Sequence, residues 1–246
     1  MNGLKAVEIE INSNCNRACS YCPNADNTRP EQGQMTHETF EVIISQLQSV
    51  NYNGRISFSF YNEPLLSKDL EFFSKQIKNK LPKTNILLYT NGTLLTKLKF
   101  DSLVNSGVDH FVVTKHEGEI NYIFEKTLSV LSPEIIQKHI SYKSYSDLKL
   151  TNRGGLIPDV QKKFETIDLP CTIPLHMMTI TNQGTVVPCF EDYHQVHAVG
   201  NLREKTLSDI WNSIEYNTFR KKLLLGKRCD YSVCSKCNRS ETLGVF

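Results

Sequence analysis

Three cysteines in one short stretch constrain this chain more than any other feature. Cys15-Asn16-Arg17-Ala18-Cys19-Ser20-Tyr21-Cys22 has the spacing C-x3-C-x2-C and follows on the apolar alternation of Val7 to Ile11. Thiolates so close in sequence face one point only where the backbone curls around it. A disulfide pairs two of them and strands the third, and a tetrahedral zinc site wants a fourth ligand. Three thiolates with one position left open suit a cubane iron–sulfur cluster that keeps one iron free for a further ligand. The alternatives are a zinc site or a structural knot.

Eight cysteines invite a disulfide framework only in an exported protein. The segment Met1 to Glu10 carries acidic residues where a signal peptide is apolar, and no apolar run reaches the ~20 residues of a membrane span. The expectation is a cytoplasmic protein whose cysteines, clustered at 15–22 and 229–237, bind metal in a reducing compartment. A net charge of +2 offers no electrostatic footprint for nucleic acid or an anionic membrane, so neither is expected as a partner. The 246 residues suffice for one sizeable core and a small appendage.

Along the chain, strand signals alternate with helix signals. Thr36-His37-Glu38-Thr39 reads as a cap before a helix over Phe40–Val50, with Phe40, Ile43, Ile44 and Leu47 on one face. Strands are predicted at Val7–Ile11, Arg55–Phe60, Asn85–Tyr89 and Val108–Thr114, with helices at Asp69–Lys80 and Lys97–Ser106 between them. A helix and a short strand are expected over Ile120–Tyr145, and a further strand at Asp147–Thr151. Such repeats imply parallel strands joined by helical crossovers. Polar motifs follow the strands: Tyr61-Asn62-Glu63-Pro64, Tyr89-Thr90-Asn91-Gly92, Lys115-His116-Glu117 and Asn152-Arg153-Gly154-Gly155. They should therefore gather on the carboxyl-end rim of a sheet or partial barrel.

Past about Lys163 the texture changes. Met177–Ile180 and Thr185–Val187, joined by Thr181-Asn182-Gln183-Gly184, read as a hairpin with Cys171 and Cys189 near its ends. A helix is predicted over Leu207–Leu225, before Cys229 and the C-x2-C pair Cys234 and Cys237. Cys171, Cys189, Cys234 and Cys237 suffice for a second [4Fe–4S] cluster, and a zinc ribbon is the alternative. Cys229 is left over, an inert thiol, an alternative ligand or a hydrogen-atom donor.

The cysteine loop, with Tyr21 just before its last cysteine, resembles the signature of the radical S-adenosylmethionine (SAM) superfamily. The second cysteine set, with Val199-Gly200-Asn201-Leu202 and the Ile210-Trp211 helix, resembles the short auxiliary-cluster domain called twitch, a reduced SPASM domain. The resemblance implies an α/β fold: a partial (β/α) TIM-like barrel over residues 1–162, and a small β-hairpin/helix twitch domain over 163–246. It implies SAM and two [4Fe–4S] clusters as cofactors. Cys15, Cys19 and Cys22 would hold the cluster whose free iron chelates SAM. Tyr21, Glu63, Asn91, Lys115 and His116 would border SAM, although Tyr61-Asn62 stands where the family often has two glycines.

Phe60-Tyr61-Asn62-Glu63-Pro64, Thr151-Asn152-Arg153-Gly154-Gly155 and Pro188-Cys189-Phe190-Glu191-Asp192 further resemble a dehydrogenase branch of this family acting on aminocyclitols in antibiotic biosynthesis. On that likeness Arg153, Tyr61 and Phe190 line the substrate pocket. A 5′-deoxyadenosyl radical would oxidise a secondary alcohol of an aminocyclitol or sugar to a ketone, with the auxiliary cluster as electron acceptor. An external one-electron donor such as flavodoxin or ferredoxin would serve it. The alternatives are epimerisation or elimination on a sugar, maturation of a peptide, or a zinc-bound interaction module.

Overall fold

Residues 6–9 form the central strand because every side chain on them is buried on one face or the other. The computed structural model describes residues 3–26, 28–116, 121–157 and 169–239. Strand β1 (Ala6–Ile9) is flanked on one side by β2 (Arg55–Phe58), β3 (Asn85–Thr90), β4 (His110–Lys115) and β5 (Ile140–Ser144), all parallel. On its other side lies β6 (Met177–Ile180), also parallel, with Ala6 opposite Met177. β7 (Thr185–Val187) and β8 (Gly200–Asn201) extend the sheet in antiparallel fashion. The eight-stranded order β5-β4-β3-β2-β1-β6-β7-β8 leaves the sheet open, as a partial barrel requires.

The crossovers are the helices that the apolar spacing implies. α1 (His37–Ser49) buries Phe40, Ile43, Ile44 and Leu47 to 1% exposure or less, and Thr36 caps it by accepting from the Thr39 amide. α2 (Leu70–Lys80) packs beside it, Phe73 stacked on Phe40 with ring centroids 4.1 Å apart. α3 (Lys97–Asn105), α4 (Tyr122–Ser129) and α5 (Pro133–His139) complete the first set. No helix of the described residues is long and apolar enough to cross a membrane.

The hairpin read into the C-terminal unit continues the main sheet, because β6 satisfies the free edge of β1. Two expectations are corrected. The strand expected at Asp147–Thr151 is absent: the Asp147 carboxylate accepts from the Ser144 amide and hydroxyl, closing the 3-10 turn Tyr145–Asp147 instead. The single helix expected over Leu207–Leu225 is two, α7 (Leu207–Asn212) and α8 (Ile214–Leu224), after the four-residue α6 (Ile173–His176). Ser213 breaks it with ψ 151° and caps α8 by accepting from the Tyr216 amide. The division between residues 162 and 163 lies outside the described residues.

Candidate active site

The cysteine loop leaves the carboxyl end of β1 and is held open by its neighbours. Asn12 donates to the Glu63 carbonyl at 3.2 Å, and the Glu63 amide donates to the Asn14 carbonyl at 2.8 Å. The Cys22 amide returns to the Cys19 carbonyl, and Pro23 opens the 3-10 turn Pro23–Ala25. Cys15, Cys19 and Cys22 consequently line a single cleft. Tyr21, Tyr61, Asn62, His116, Arg153 and Phe190 line it too, so the strand order gathers these sequence-predicted residues from five separate segments.

Some of the predicted residues build the rim instead. Glu63 is 1% exposed, and its carboxylate accepts from the Thr90 hydroxyl (2.7 Å), the Asn91 amide (2.8 Å) and the Leu65 amide (3.0 Å). Burial raises its pKa to about 6. It ties the loops after β2 and β3 together and is not among the cleft's lining residues. Asn91 likewise donates to the Asn16 side chain at 2.8 Å and accepts from Thr93, fastening the β3 loop to the cysteine loop. Lys115 points to Glu125 at 3.2 Å, outside the cleft lining. His116 bonds the Tyr21 hydroxyl, and the Tyr21 ring lies 5.2 Å from that of Tyr145.

Arg153 is held in an uncommon backbone conformation, φ 51°, with its guanidinium carbon 5.8 Å from the centre of the Tyr61 ring. The loop is clamped to the last cysteine pair. Asn152 donates to the Lys236 carbonyl and, through its amide, to Asn238, while the Asn238 amide returns to Asn152. Gly154, at φ 63°, leaves no room for a Cβ, which would lie 2.6 Å from Val233 Cγ1.

Sequence reasoning missed the floor of the cleft. Glu8 on β1 is 8% exposed, lines the cleft with Arg55 and Tyr89, and accepts from the Thr179 hydroxyl at 2.9 Å. Burial pushes its carboxyl up to about 7, although Thr179 and Arg55 pull the other way. The only trace in the sequence was a glutamate within an apolar strand run.

Cys171, Cys189, Cys234 and Cys237 line a second cavity, with Glu191, Arg228 and Arg239. Cys229 is exposed, and lines neither cavity. The two cavities meet at one dipeptide, since Cys189 lines the second and Phe190 the first. Arg239 covers that junction, its guanidinium 4.7 Å from the Phe190 ring centre and ion-paired with Glu191 at 3.0 Å.

The donor sets fit the cofactors expected. Burial raises the thiols of Cys15 and Cys237 to about 11, so as thiolates they need a compensating positive charge such as iron. The cleft presents buried polar atoms with no hydrogen-bond partner among the described residues: the Tyr61 hydroxyl, both ends of the Asn62 amide, and Arg153 Nε. Such atoms suit polar ligands rather than an apolar filling.

Comparison with known proteins agrees with this geometry. The radical SAM superfamily profile matches residues 9–122, and the SPASM iron–sulfur cluster-binding domain profile matches residues 171–238. The S-adenosyl-L-methionine-dependent 2-deoxy-scyllo-inosamine dehydrogenase of Niallia circulans is 37% identical over 232 residues, 94% of this chain and 92% of the relative. The chain belongs to the radical SAM superfamily. Among solved structures, BtrN in complex with AdoMet and 2-DOIA superposes with TM-score 0.92 at 36% identity, covering 98% of this chain and 95% of that one. BtrN in an open conformation superposes at 0.78, with 32% identity, 97% of this chain and 94% of that one. As a radical SAM enzyme with a SPASM-type domain, the protein has SAM and [4Fe–4S] clusters as its cofactors.

Proposed function

We propose that this enzyme oxidises a secondary alcohol of an aminocyclitol or related polyol to the ketone. Cys15, Cys19 and Cys22 hold the SAM-binding cluster, and Cys171, Cys189, Cys234 and Cys237 hold an auxiliary one. The observation that carries the reading is the shared wall, where Phe190 borders the cleft and the adjoining Cys189 borders the second cavity. A redox centre behind the wall of the substrate cleft is what a two-electron oxidation needs, and what an epimerisation does not. The likeness to a 2-deoxy-scyllo-inosamine dehydrogenase, and to a BtrN complex containing 2-DOIA, supports an aminocyclitol as substrate.

SAM on the cluster held by Cys15, Cys19 and Cys22 would supply hydrogen-atom abstraction at the carbinol carbon, and the cluster held by Cys171, Cys189, Cys234 and Cys237 would supply an acceptor for one electron. The hydroxyl proton then has to go to a base. Glu8 suits that role: it faces the cleft, and its raised pKa keeps it close to half-ionised near neutral pH. Arg153, Tyr61 and Asn62 hold substrate hydroxyls, each gaining a partner it otherwise lacks. Arg153 does so from a loop that the cluster-bearing segment clamps, so substrate geometry and the auxiliary site are built by the same contacts. Tyr21 and His116 form the SAM-side wall, with Glu63 and Asn91 fixing the loops around it and Lys115 at the end of β4. The enzyme acts in a reducing, cytoplasmic compartment with a one-electron donor such as flavodoxin or ferredoxin.

The test is product analysis in deuterated water with an amino- or deoxyaminocyclitol under anaerobic conditions. Ketone formed in equal amount to 5′-deoxyadenosine is expected, and Cys15→Ala, Cys19→Ala and Cys22→Ala together abolish both. An alcohol epimer carrying solvent deuterium at carbon would overturn the oxidation in favour of epimerisation.

A further inference from the structure

The auxiliary cavity contains a charge that the proposed chemistry leaves unexplained. Arg228 opens the 3-10 turn Arg228–Asp230 after α8, is 4% exposed, and lines the cavity beside the four cysteines. Its Nε donates to the Leu169 carbonyl and its Nη1 to the Arg239 carbonyl, both at 2.8 Å. Its Nη2 is buried and has no hydrogen-bond partner among the described residues.

The carboxylates in the same cavity are engaged elsewhere. Glu191 accepts from Arg239 and from the Thr151 hydroxyl. Asp192 accepts from the Val196 and His197 amides. Arg239 therefore has its own counter-ion, whereas no carboxylate pairs with Arg228 among the described residues. A guanidinium stays protonated and is costly to bury without a compensating anion. Four thiolates on an iron–sulfur core supply one, because the assembly carries net negative charge.

We infer that Arg228 is the counter-ion and hydrogen-bond donor of the auxiliary cluster, and that it raises the cluster's reduction potential so that the cluster can accept the substrate's electron. The inference rests on the reading of Cys171, Cys189, Cys234 and Cys237 as the ligands. Reduction adds a negative charge to the cluster, so a fixed cation against it stabilises the reduced form more than the oxidised one. Hydrogen bonds to cluster sulfur act in the same direction.

The experiment is an EPR-monitored redox titration of the reconstituted holoenzyme and its Arg228→Gln and Arg228→Lys variants, with iron counted in each. The auxiliary signal is the one that survives Cys15→Ala, Cys19→Ala and Cys22→Ala; if none survives, the ligand reading fails and not merely the role of Arg228. In Arg228→Gln the reduced-to-oxidised ratio at a fixed potential should fall about tenfold, a shift of about 59 mV to the negative for one electron. Arg228→Lys, which keeps the charge but not the fork, should stay near wild type. Should Arg228→Gln fail to load the cluster while Arg228→Lys loads it, the need for the charge is shown directly. An unshifted potential in Arg228→Gln, or equal loss of the cluster in both variants, would overturn the inference and leave Arg228 as a brace between two carbonyls.

Discussion

Replacing Glu8 by Gln isolates an ionisable group on the cleft floor whose charge state is poised near neutrality. Its carboxyl is pushed by burial from an ordinary 4.5 to about 7. A raised folded-state pKa means the folded protein binds this proton more tightly than the unfolded chain does. The stability it contributes is therefore fully present below pH 4.5 and is lost as pH rises through about 7. At 1.36 kcal/mol per unit, the loss across that window is about 3 kcal/mol. Glutamine has nearly the same shape, stays neutral, and its carbonyl still accepts from Thr179 Oγ1. The Glu8→Gln protein should match wild type near pH 4 and be more stable at pH 8 by up to about 3 kcal/mol. Its denaturation profile should lack the decline between these limits, read by thermal melting under anaerobic conditions. The same variant should still make 5′-deoxyadenosine but form little ketone, whereas wild-type ketone formation rises with pH to a plateau above about 7. A Glu8→Gln protein that melts earlier than wild type at pH 8 would mean the carboxylate is ionised and satisfied in place, and the reasoning would fail. Undiminished ketone would remove Glu8 as the proton acceptor.

Two further changes test the scaffold. Gly154→Ala places a Cβ 2.6 Å from Val233 and 3.0 Å from the Glu191 carbonyl oxygen at a positive φ, so a loss of about 2–4 kcal/mol is expected, with lower iron in the auxiliary site; unchanged urea unfolding and iron content would contradict the clamp. Arg29 and Glu10 form a fully buried ion pair, Arg29 also facing the rings of Tyr193 and of Phe60, which lines the cleft. Arg29→Met should cost about 3–5 kcal/mol because it leaves a buried carboxylate alone, while adding Glu10→Leu should restore much of it; equal stability of the single and double variants would refute this.

Much of this protein was legible in its sequence because the relevant signals are local. The helical face Phe40-Ile43-Ile44-Leu47, the Thr36 cap and the turn between β6 and β7 depend on neighbours a few residues away. The spacing of Cys15, Cys19 and Cys22 likewise constrains its own loop, and Cys234 with Cys237 a second one. The local reading failed where two local preferences competed: Ser213 is as good a cap as it is a poor helix interior, and Asp147 closes a turn where the apolar pattern reads as strand. Tertiary structure alone decided what depends on which strands become neighbours. Pairing of β6 with β1 brings Thr179 to Glu8, 171 residues away, and turns an unremarked strand glutamate into a buried acid facing the cleft. Packing likewise sets Asn152, beside Arg153, against Lys236 and Asn238, and Arg228 against four cysteines drawn from three segments. Burial and the absence of a partner are properties of the packed chain, so the charges that matter most here carry no mark in the sequence that would set them apart from surface ones.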